Sequence, residues 1–180
     1  YTVAHRIIIA RSGNASPLLI DDVDKFINDP SFISNLSPGD RRVNILLLGI
    51  GGGNHPGTYL TDTMMIASID VKNKSIAMLS IPRDFYVPVD GYGNSKINAV
   101  FSDGMLGNDK DVGRSVELVE KTLNNVFDIP IHYFVLADFD GFKKAIDAIG
   151  GIRVDVKEDI YDSEYPDKEN MGYEPFSITK

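Results

Sequence analysis

A short apolar run at Val43 to Ile50 constrains the fold more than any other segment of the chain. It carries one polar side chain, Asn44, and a glycine-rich loop, Gly51 to Gly57, follows it directly. A continuous apolar run of this length is typical of a strand that is buried on both faces. The run therefore predicts the central strand of a sheet.

The next two apolar runs predict that this sheet is mixed. Met64 to Asp70 and Ser75 to Ile81 have strand-like composition, and only Val71 to Lys74 separates them. Because so short a connection joins antiparallel strands, we expect a hairpin here. Phe85 to Val89 is expected to continue as an extended segment, and Gly91 to Asn94 to form a turn.

Two later segments have the period of amphipathic helices. In Val112 to Phe127 apolar side chains recur at helical spacing along the whole segment. Asp138 is expected to cap a second helix whose Phe142, Ile146 and Ile149 face the core. Further expected elements are a helix containing Ile97, Val100 and Phe101, and strands at Ile131 to Ala137 and Ile152 to Val156.

The two ends of the chain have weaker patterns. Tyr1 to Asn14 is interpreted as an extended arm, either a solvated tail or one whose basic residues lie near an anionic surface. Ser16-Pro17 is interpreted as the start of a helix that ends at Pro30. Lys157 to Glu174 is acidic and aromatic without a sustained period, which predicts a long surface loop. We therefore divide the chain into an N-terminal arm and helix, residues 1–42, and one domain, residues 43–180.

Charge and cysteine content exclude several classes of function. The 180 residues include 18 basic and 26 acidic side chains, a formal net charge of -8. A surface devoted to nucleic acid is disfavoured, since such binding depends on Lys and Arg that neutralise phosphates. The chain has no cysteine, which excludes disulfides, zinc thiolates and thiol nucleophiles. No window reaches the roughly 20 apolar residues that span a bilayer, so any membrane anchor is expected upstream of Tyr1.

Three polar clusters lie at the ends of the apolar runs: Thr61-Asp62-Thr63, Ser80 to Asp84, and Ser95 to Asn98. They contain an acid, a guanidinium and an ammonium. Such groups at the ends of strands are expected where a sheet carries a phosphate and metal site at one edge. The clusters therefore predict one site at one edge of the sheet.

Each charged residue of these clusters has two interpretations. Asp62 either caps a turn or supplies a hard oxygen ligand to Mg²⁺. Arg83 and Asp84 either pair with other surface charges, or Arg83 holds phosphate oxygens with its forked guanidinium. Lys96, with Asn98, is either a second cation for the same phosphates or a surface lysine whose stem covers apolar surface.

The glycine-rich loop also has two interpretations. Backbone N–H groups can approach an anion closely where Cβ atoms are missing. The loop lacks the Gly-Lys-Ser/Thr of a P-loop, however, and Asn54 stands where a dinucleotide-binding loop needs its third glycine. The loop is therefore either a phosphate cradle or a plain turn. His55 within it is either a ligand or base, or an exposed loop histidine.

Several motifs together resemble the LytR-CpsA-Psr family. The resemblance covers the chain from Val43 to its C-terminus, and it implies a three-layer α/β/α fold with a central mixed β-sheet. In that fold the sheet and helices enclose a long apolar pocket for a polyprenyl chain. The motifs that carry the resemblance, in the family's order and spacing, are Thr61 to Met65, Ser80 to Asp84, Lys96 to Ala99, Asp138 to Phe142 and Ala148 to Ile152.

The resemblance also implies an activity. A glycopolymer is transferred from a polyprenyl-pyrophosphate carrier to a peptidoglycan hydroxyl, with Mg²⁺ or Mn²⁺, at the extracellular face of the bacterial cytoplasmic membrane. Asp62 is then expected to bind the metal. Arg83, Lys96 and Asn98 are expected to hold the pyrophosphate, and Asp84 to orient Arg83 or assist the metal. A lipid-pyrophosphate hydrolase and a non-catalytic module for lipid-linked glycan are the alternatives. A transcription regulator is disfavoured, because a helix-turn-helix pattern is absent.

The sequence departs from the family pattern in two respects. Many members carry an acid and an arginine in the loop after the first strand, whereas Gly51 to Leu60 contains neither. The family domain also continues past the equivalent of Lys180, into a segment with further arginines and an acid that face the pyrophosphate. A chain that ends at Lys180 is therefore expected to be less stable and less active than a longer one.

Overall fold

The computed structural model describes residues 7–11, 18–19, 42–52, 57–70, 72–106, 110–166 and 172–180. The chain divides into two compact units, Tyr1–Phe142 and Lys143–Lys180. In the described ranges the strands are β1 (Ile7–Arg11), β2 (Leu18–Leu19), β3 (Val43–Ile50), β4 (Thr61–Asp70), β5 (Ser75–Ser80), β6 (Tyr86–Val89), β7 (Gly93–Lys96), β8 (Tyr133–Ala137), β9 (Ile160–Pro166) and β10 (Tyr173–Ile178). The helices are α1 (Ile97–Gly104), α2 (Val112–Phe127) and α3 (Phe139–Ala148).

A six-stranded mixed sheet organises the first unit, with the strand order β2-β1-β8-β3-β4-β5. Strand β3 pairs in parallel with β8 on one side and antiparallel with β4 on the other. Strands β4 and β5 form the predicted antiparallel hairpin, in which Met65 lies opposite Ser80. The predicted α/β fold with a central mixed sheet is therefore confirmed.

One face of this sheet packs against α1 and α2. Leu46 and Leu48 of β3 are buried there, because alternate residues of a strand point to the same face. On the other face of β3, Ile45 and Leu47 are half-buried. Burial is therefore complete on one face and partial on the other, whereas the sequence pattern predicts burial on both. The helical side of the core contains Ile97, Val100, Phe101, Val116, Val119 and Leu123.

Helix α2 has the predicted bounds, because its local signals agree with its packing. The carboxylate of Asp111 accepts a hydrogen bond from the backbone N–H of Gly113 at 2.8 Å and caps the first turn. The helix ends at Asp128, whose φ of 52° lies in the left-handed region. No helix in the described part of the chain is long and apolar enough to cross a membrane.

The sequence pattern predicts only half of the hairpin that precedes α1. Tyr86–Val89 is extended as expected, but Gly93–Lys96 pairs with it as strand β7. The turn predicted at Gly91 to Asn94 is therefore too long. Strand β7 lacks apolar alternation, so only its pairing with β6 reveals it. The helix predicted around Ile97 is confirmed as α1.

The N-terminal prediction is wrong where the structure describes this part of the chain. Ile7–Arg11 is strand β1, paired antiparallel with β8, and is not a solvated arm. Leu18–Leu19 pairs with β1 as a strand, whereas a helix was expected there. The β-branched residues of β1 favour a strand, and the free edge of β8 offers it backbone partners. The rest of the predicted helix, up to Pro30, lies outside the described residues.

In the second unit, the sequence pattern assigns strand and loop to the wrong segments. The predicted strand Ile152 to Val156 has no regular structure, and Ile152 and Val154 are exposed. Ile160–Pro166, within the predicted loop, instead pairs with Tyr173–Ile178, which begins at the end of that loop, to form the antiparallel hairpin β9–β10. This hairpin is exposed on both faces, so it shows no apolar period. Its backbone pairing defines it, and the rings of Tyr165 and Phe176 stack across it.

Helix α3 is confirmed, but its predicted apolar face is not part of a core. Phe142 and Ile149 are exposed in the structure. The helical period shows which residues share a face. It does not show whether another element covers that face.

Candidate functional site

The strand directions bring four chain segments to one edge of the sheet. Strands β3 and β8 run in parallel, and β5 runs in the same direction because β4 is antiparallel to both β3 and β5. Strands β3, β5 and β8 therefore end where β4 begins. We call this the site edge. The predicted polar residues of β4 and of the segment after β5 both lie there.

Asp62 and Arg83 meet at the site edge. The guanidinium Nη1 of Arg83 donates to Oδ1 of Asp62 at 3.0 Å. The two side chains are 58% and 54% exposed, so the pair is open to solvent. Asp62 lies within β4, which argues against the turn-capping interpretation of this residue.

Asp84 joins the third predicted residue, Lys96, to the same group. The ammonium of Lys96 donates to Oδ1 of Asp84 at 2.6 Å, and Nε of Arg83 lies 3.7 Å from Oδ2 of Asp84. Asp62, Arg83, Asp84 and Lys96 thus form one chain of ion pairs, which we call the charged cluster. The structure brings these four predicted residues together. Their roles in binding and catalysis stay predictions.

The charged cluster fixes the ionisation of Asp84. The hydrogen bond from Lys96 and the attraction of its ammonium, with a smaller contribution from Arg83, lower the pKa of Asp84 below its usual range. Partial desolvation acts in the opposite direction without reversing the shift. Asp84 is therefore a carboxylate at neutral pH.

Backbone hydrogen bonds fix the loop that carries Arg83 to the start of α1. The N–H of Asn98 donates to the carbonyl of Arg83 at 3.2 Å, and the N–H of Ile97 donates to the carbonyl of Phe85 at 2.8 Å. These contacts satisfy N–H groups that a helix leaves unpaired in its first turn. Asn98 therefore positions Arg83 through its backbone. Its predicted contact with substrate stays a prediction.

Thr61 completes this attachment, and its role was not assigned from the sequence. Its side chain is buried, and its hydroxyl donates to the carbonyl of Asn98 at 3.2 Å. The hydrogen bond connects the start of β4 to the start of α1. The sequence motif contained Thr61, but only the fold shows what its hydroxyl contacts.

Gly52 and Asp138 pack against each other at the site edge. Gly52 has a φ of +71°, and a Cβ added there would lie 2.8 Å from Cβ of Asp138. Asp138 is buried, and its Oδ1 accepts from the N–H of Gly141 at 2.7 Å, which confirms its predicted capping role. The loop therefore requires glycine at residue 52 for steric reasons. Residues 53–56, including His55, lie outside the described residues.

An apolar surface lies on the sheet face opposite α1 and α2 and begins at Met65, three residues after Asp62 along β4. Leu47 lies between its partners Met65 and Val135, and all three are half-buried. Ile45 lies on the same face, and Met78 of β5 continues it with half of its surface exposed. We call these five residues the second sheet face. An apolar ligand next to the charged cluster has a surface of matching chemistry here.

The family model of the LytR_cpsA_psr family matches residues 21–175 of this chain. The chain belongs to the LytR-CpsA-Psr family. The match covers most of the sequence and includes every residue of the charged cluster. The family predicted from the motifs is therefore confirmed.

Individual relatives agree with this assignment. A polyisoprenyl-teichoic acid–peptidoglycan teichoic acid transferase, TagU of Oceanobacillus iheyensis, is 39% identical over 113 residues, which are 62% of this chain and 33% of TagU. The crystal structure of B. subtilis TagV superposes with a TM-score of 0.55 at 32% identity, covering 77% of this chain and 52% of that one. This chain thus spans about a third of the curated relative.

A further solved structure shows a family member with its ligand. The LytR-CPS2A-psr family protein YwtF (TagT) with bound octaprenyl pyrophosphate lipid has a TM-score of 0.54 and 27% identity. The alignment covers 79% of this chain and 54% of that chain.

Replacing Lys96 with methionine is expected to raise the pKa of Asp84 towards its usual range. The substitution removes the hydrogen bond and the charge that lower this pKa, while it keeps an apolar stem of similar length. A titration of the carboxyl carbon of Asp84 by NMR measures the change. Lys121→Met is the matched control, because Lys121 is an exposed cation paired with Asp90. An unchanged pKa of Asp84 in Lys96→Met would show that Lys96 does not set it.

Proposed function

We propose that this chain contains catalytic residues of a phosphotransferase that moves a glycopolymer from a polyprenyl-pyrophosphate carrier onto a peptidoglycan hydroxyl. The observation that carries the proposal is the charged cluster next to the second sheet face. A polyprenyl pyrophosphate has the matching shape, since a doubly charged anionic group is joined to a long apolar chain. The names of TagU and of the lipid-bound YwtF (TagT) support this substrate class.

In the proposed complex, Arg83 and Lys96 hold the pyrophosphate. A guanidinium binds phosphate oxygens in a bidentate manner, and an ammonium acts as a compact positive charge that neutralises one phosphate oxygen. The second sheet face then receives the first isoprene units of the carrier. The anionic part of the lipid therefore binds cationic side chains, and its apolar part binds an apolar surface.

The reaction needs positioning and charge neutralisation more than covalent participation of the protein. The oxygen of the acceptor hydroxyl bonds to the phosphorus that carries the glycopolymer, and the bond from this phosphorus to the bridging oxygen breaks. Polyprenyl phosphate leaves with the bonding electrons, and the hydroxyl proton passes to water. Asp84 is a weak base because its pKa is lowered, so its proposed role is to orient Arg83 and Lys96.

Substrate binding must rearrange the charged cluster. Its two acids and two bases sum to no net charge, so the cations are neutralised by Asp62 and Asp84 before a ligand arrives. Exposed ion pairs of this kind contribute only about 0–1 kcal/mol each. Phosphate oxygens can therefore replace the carboxylates at little cost in stability. The freed carboxylates are then available to a metal ion.

The carboxylates fit Mg²⁺ or Mn²⁺ only together with substrate oxygens. No group of three or more His, Asp or Glu side chains that could hold a metal occurs among the described residues. Asp62 and Asp84 supply hard oxygens, and Mg²⁺ typically takes one or two carboxylates together with phosphate and water oxygens. We propose that Asp62 is the metal ligand and that Asp84 assists it. The bound ion supplies charge neutralisation at the transferring phosphate.

The same residues are compatible with a hydrolase, in which water replaces the acceptor hydroxyl. Product analysis with and without peptidoglycan fragments separates the two reactions.

The proposed location is the extracellular face of the bacterial cytoplasmic membrane, with an anchor upstream of Tyr1. The proposed location is the one where a lipid-linked glycopolymer would meet peptidoglycan.

Replacing Arg83 with alanine is expected to lower the rate of transfer by roughly ten- to a hundred-fold, the range for losing a charged hydrogen bond of about 1.5–3 kcal/mol. The fold should be retained, because the side chain is 58% exposed. Lys121→Ala is the matched control, since it also removes an exposed, ion-paired cation of the first unit. Full activity in a folded Arg83→Ala variant would exclude Arg83 from the site.

Replacing Asp62 with asparagine is expected to raise the metal concentration needed for half-maximal activity. The change removes one anionic oxygen and keeps the shape of the side chain, so it weakens a hard-cation site without opening a cavity. Activity is measured against Mg²⁺ concentration for the parent, Asp62→Asn and the control Asp90→Asn. If Asp62→Asn and the parent gave the same titration curve, Asp62 would not be a metal ligand.

A further inference from the structure

Tyr86 lies beside the charged cluster with its ring in solvent. It is 65% exposed and pairs directly with Lys96 across the β6–β7 ladder. Directly opposed residues of an antiparallel pair share a face, with Cβ atoms about 4.5–5.5 Å apart. Val87 and Val89 of the same strand are buried, so the alternation places Tyr86 and Lys96 together on the exposed face.

The backbone that carries Tyr86 is held on both sides of the residue. The preceding residue, Phe85, stacks its ring on Phe127 at a centroid distance of 5.9 Å, and its carbonyl accepts from the N–H of Ile97. The following residue, Val87, is buried in the core. The ring therefore projects from a fixed position next to the proposed phosphate site. The proposed phosphate transfer gives no role to an aromatic ring.

We propose that Tyr86 is a specificity-determining residue that stacks on the first sugar of the donor, an inference that rests on the proposed function. A pyranose ring has an apolar face of C–H groups, and its ring is joined to the pyrophosphate through a single oxygen. With the phosphate on Lys96, this sugar lies within reach of the side chain directly opposite. An aromatic ring covers the apolar face of the sugar, and the Tyr86 hydroxyl remains able to hydrogen-bond.

The contact distinguishes the donor from the spent carrier. The donor carries a sugar on its pyrophosphate, whereas the leaving polyprenyl phosphate carries none. Stacking on Tyr86 therefore strengthens binding of the substrate without strengthening binding of the product. Such a difference favours release of the lipid after each transfer.

Binding of two lipids by the full chain tests this assignment: octaprenyl pyrophosphate, and the same lipid with one N-acetylglucosamine on its terminal phosphate. Tyr86→Ala is expected to weaken binding of the sugar-bearing lipid by roughly three- to tenfold, the range for losing one aromatic contact. Binding of the bare lipid should not change. Tyr86→Leu keeps apolar bulk without a flat ring and should show the same selective loss, whereas Tyr86→Phe should retain most of the affinity.

Tyr92 provides the matched control. It is an exposed tyrosine of the same hairpin, 47% exposed, in the turn at the end opposite Lys96. Tyr92→Ala should bind both lipids as the parent does, and thermal melting verifies that every variant is folded.

Three results would overturn the assignment. Equal losses for both lipids in Tyr86→Ala and Tyr86→Leu would mean that the ring contacts lipid or phosphate, and unchanged affinities would mean that it contacts neither ligand. A parent chain that binds neither lipid would contradict the proposed function itself, and the role of Tyr86 with it.

Discussion

The antiparallel register of β4 and β5 is the constraint on which the candidate site depends. Met65 lies opposite Ser80, Asp62 precedes Met65 along β4, and Arg83 follows Ser80 after β5. The hairpin therefore brings the chain back to the site edge, where Arg83 donates a hydrogen bond to Asp62. A slip of one residue in this register would turn Ile81, which is buried directly after β5, away from the core. Core packing thus holds the charged site in place.

A consequence of this geometry is that the cluster contains two cations without being strongly positive. Arg83 and Lys96 are each paired with a carboxylate in solvent, so the cluster is neutral and only weakly held together. In the proposed complex, the phosphates would bind the two cations and a metal ion would bind the two carboxylates. This proposed exchange would account for the presence of acids and bases in one cluster.

The sequence predicted the elements whose local signals agree with their burial. The run at Val43–Ile50, the hairpin after it and helix α2 were predicted because apolar period, capping and turn length all indicate the same structure. Strand β7 and the hairpin β9–β10 were missed because their residues are mostly exposed, so pairing alone defines them. The charged cluster was predicted as a group of residues. Its internal pairing and the position of Tyr86 beside it depend on registers that periodicity does not reveal.

The central claim is that one ligand engages the charged cluster and the second sheet face together. An NMR titration of the chain with octaprenyl pyrophosphate tests it most directly, by following backbone amides and side-chain methyl groups at the same time. We expect the chemical shifts of the amides of Arg83, Asp84 and Lys96 and of the methyl groups of Ile45 and Leu47 to follow the same binding curve. Shifts at Arg42, Ala77 and Asp128, which line a groove at the far end of the sheet, without shifts at the charged cluster, Ile45 and Leu47, would contradict it.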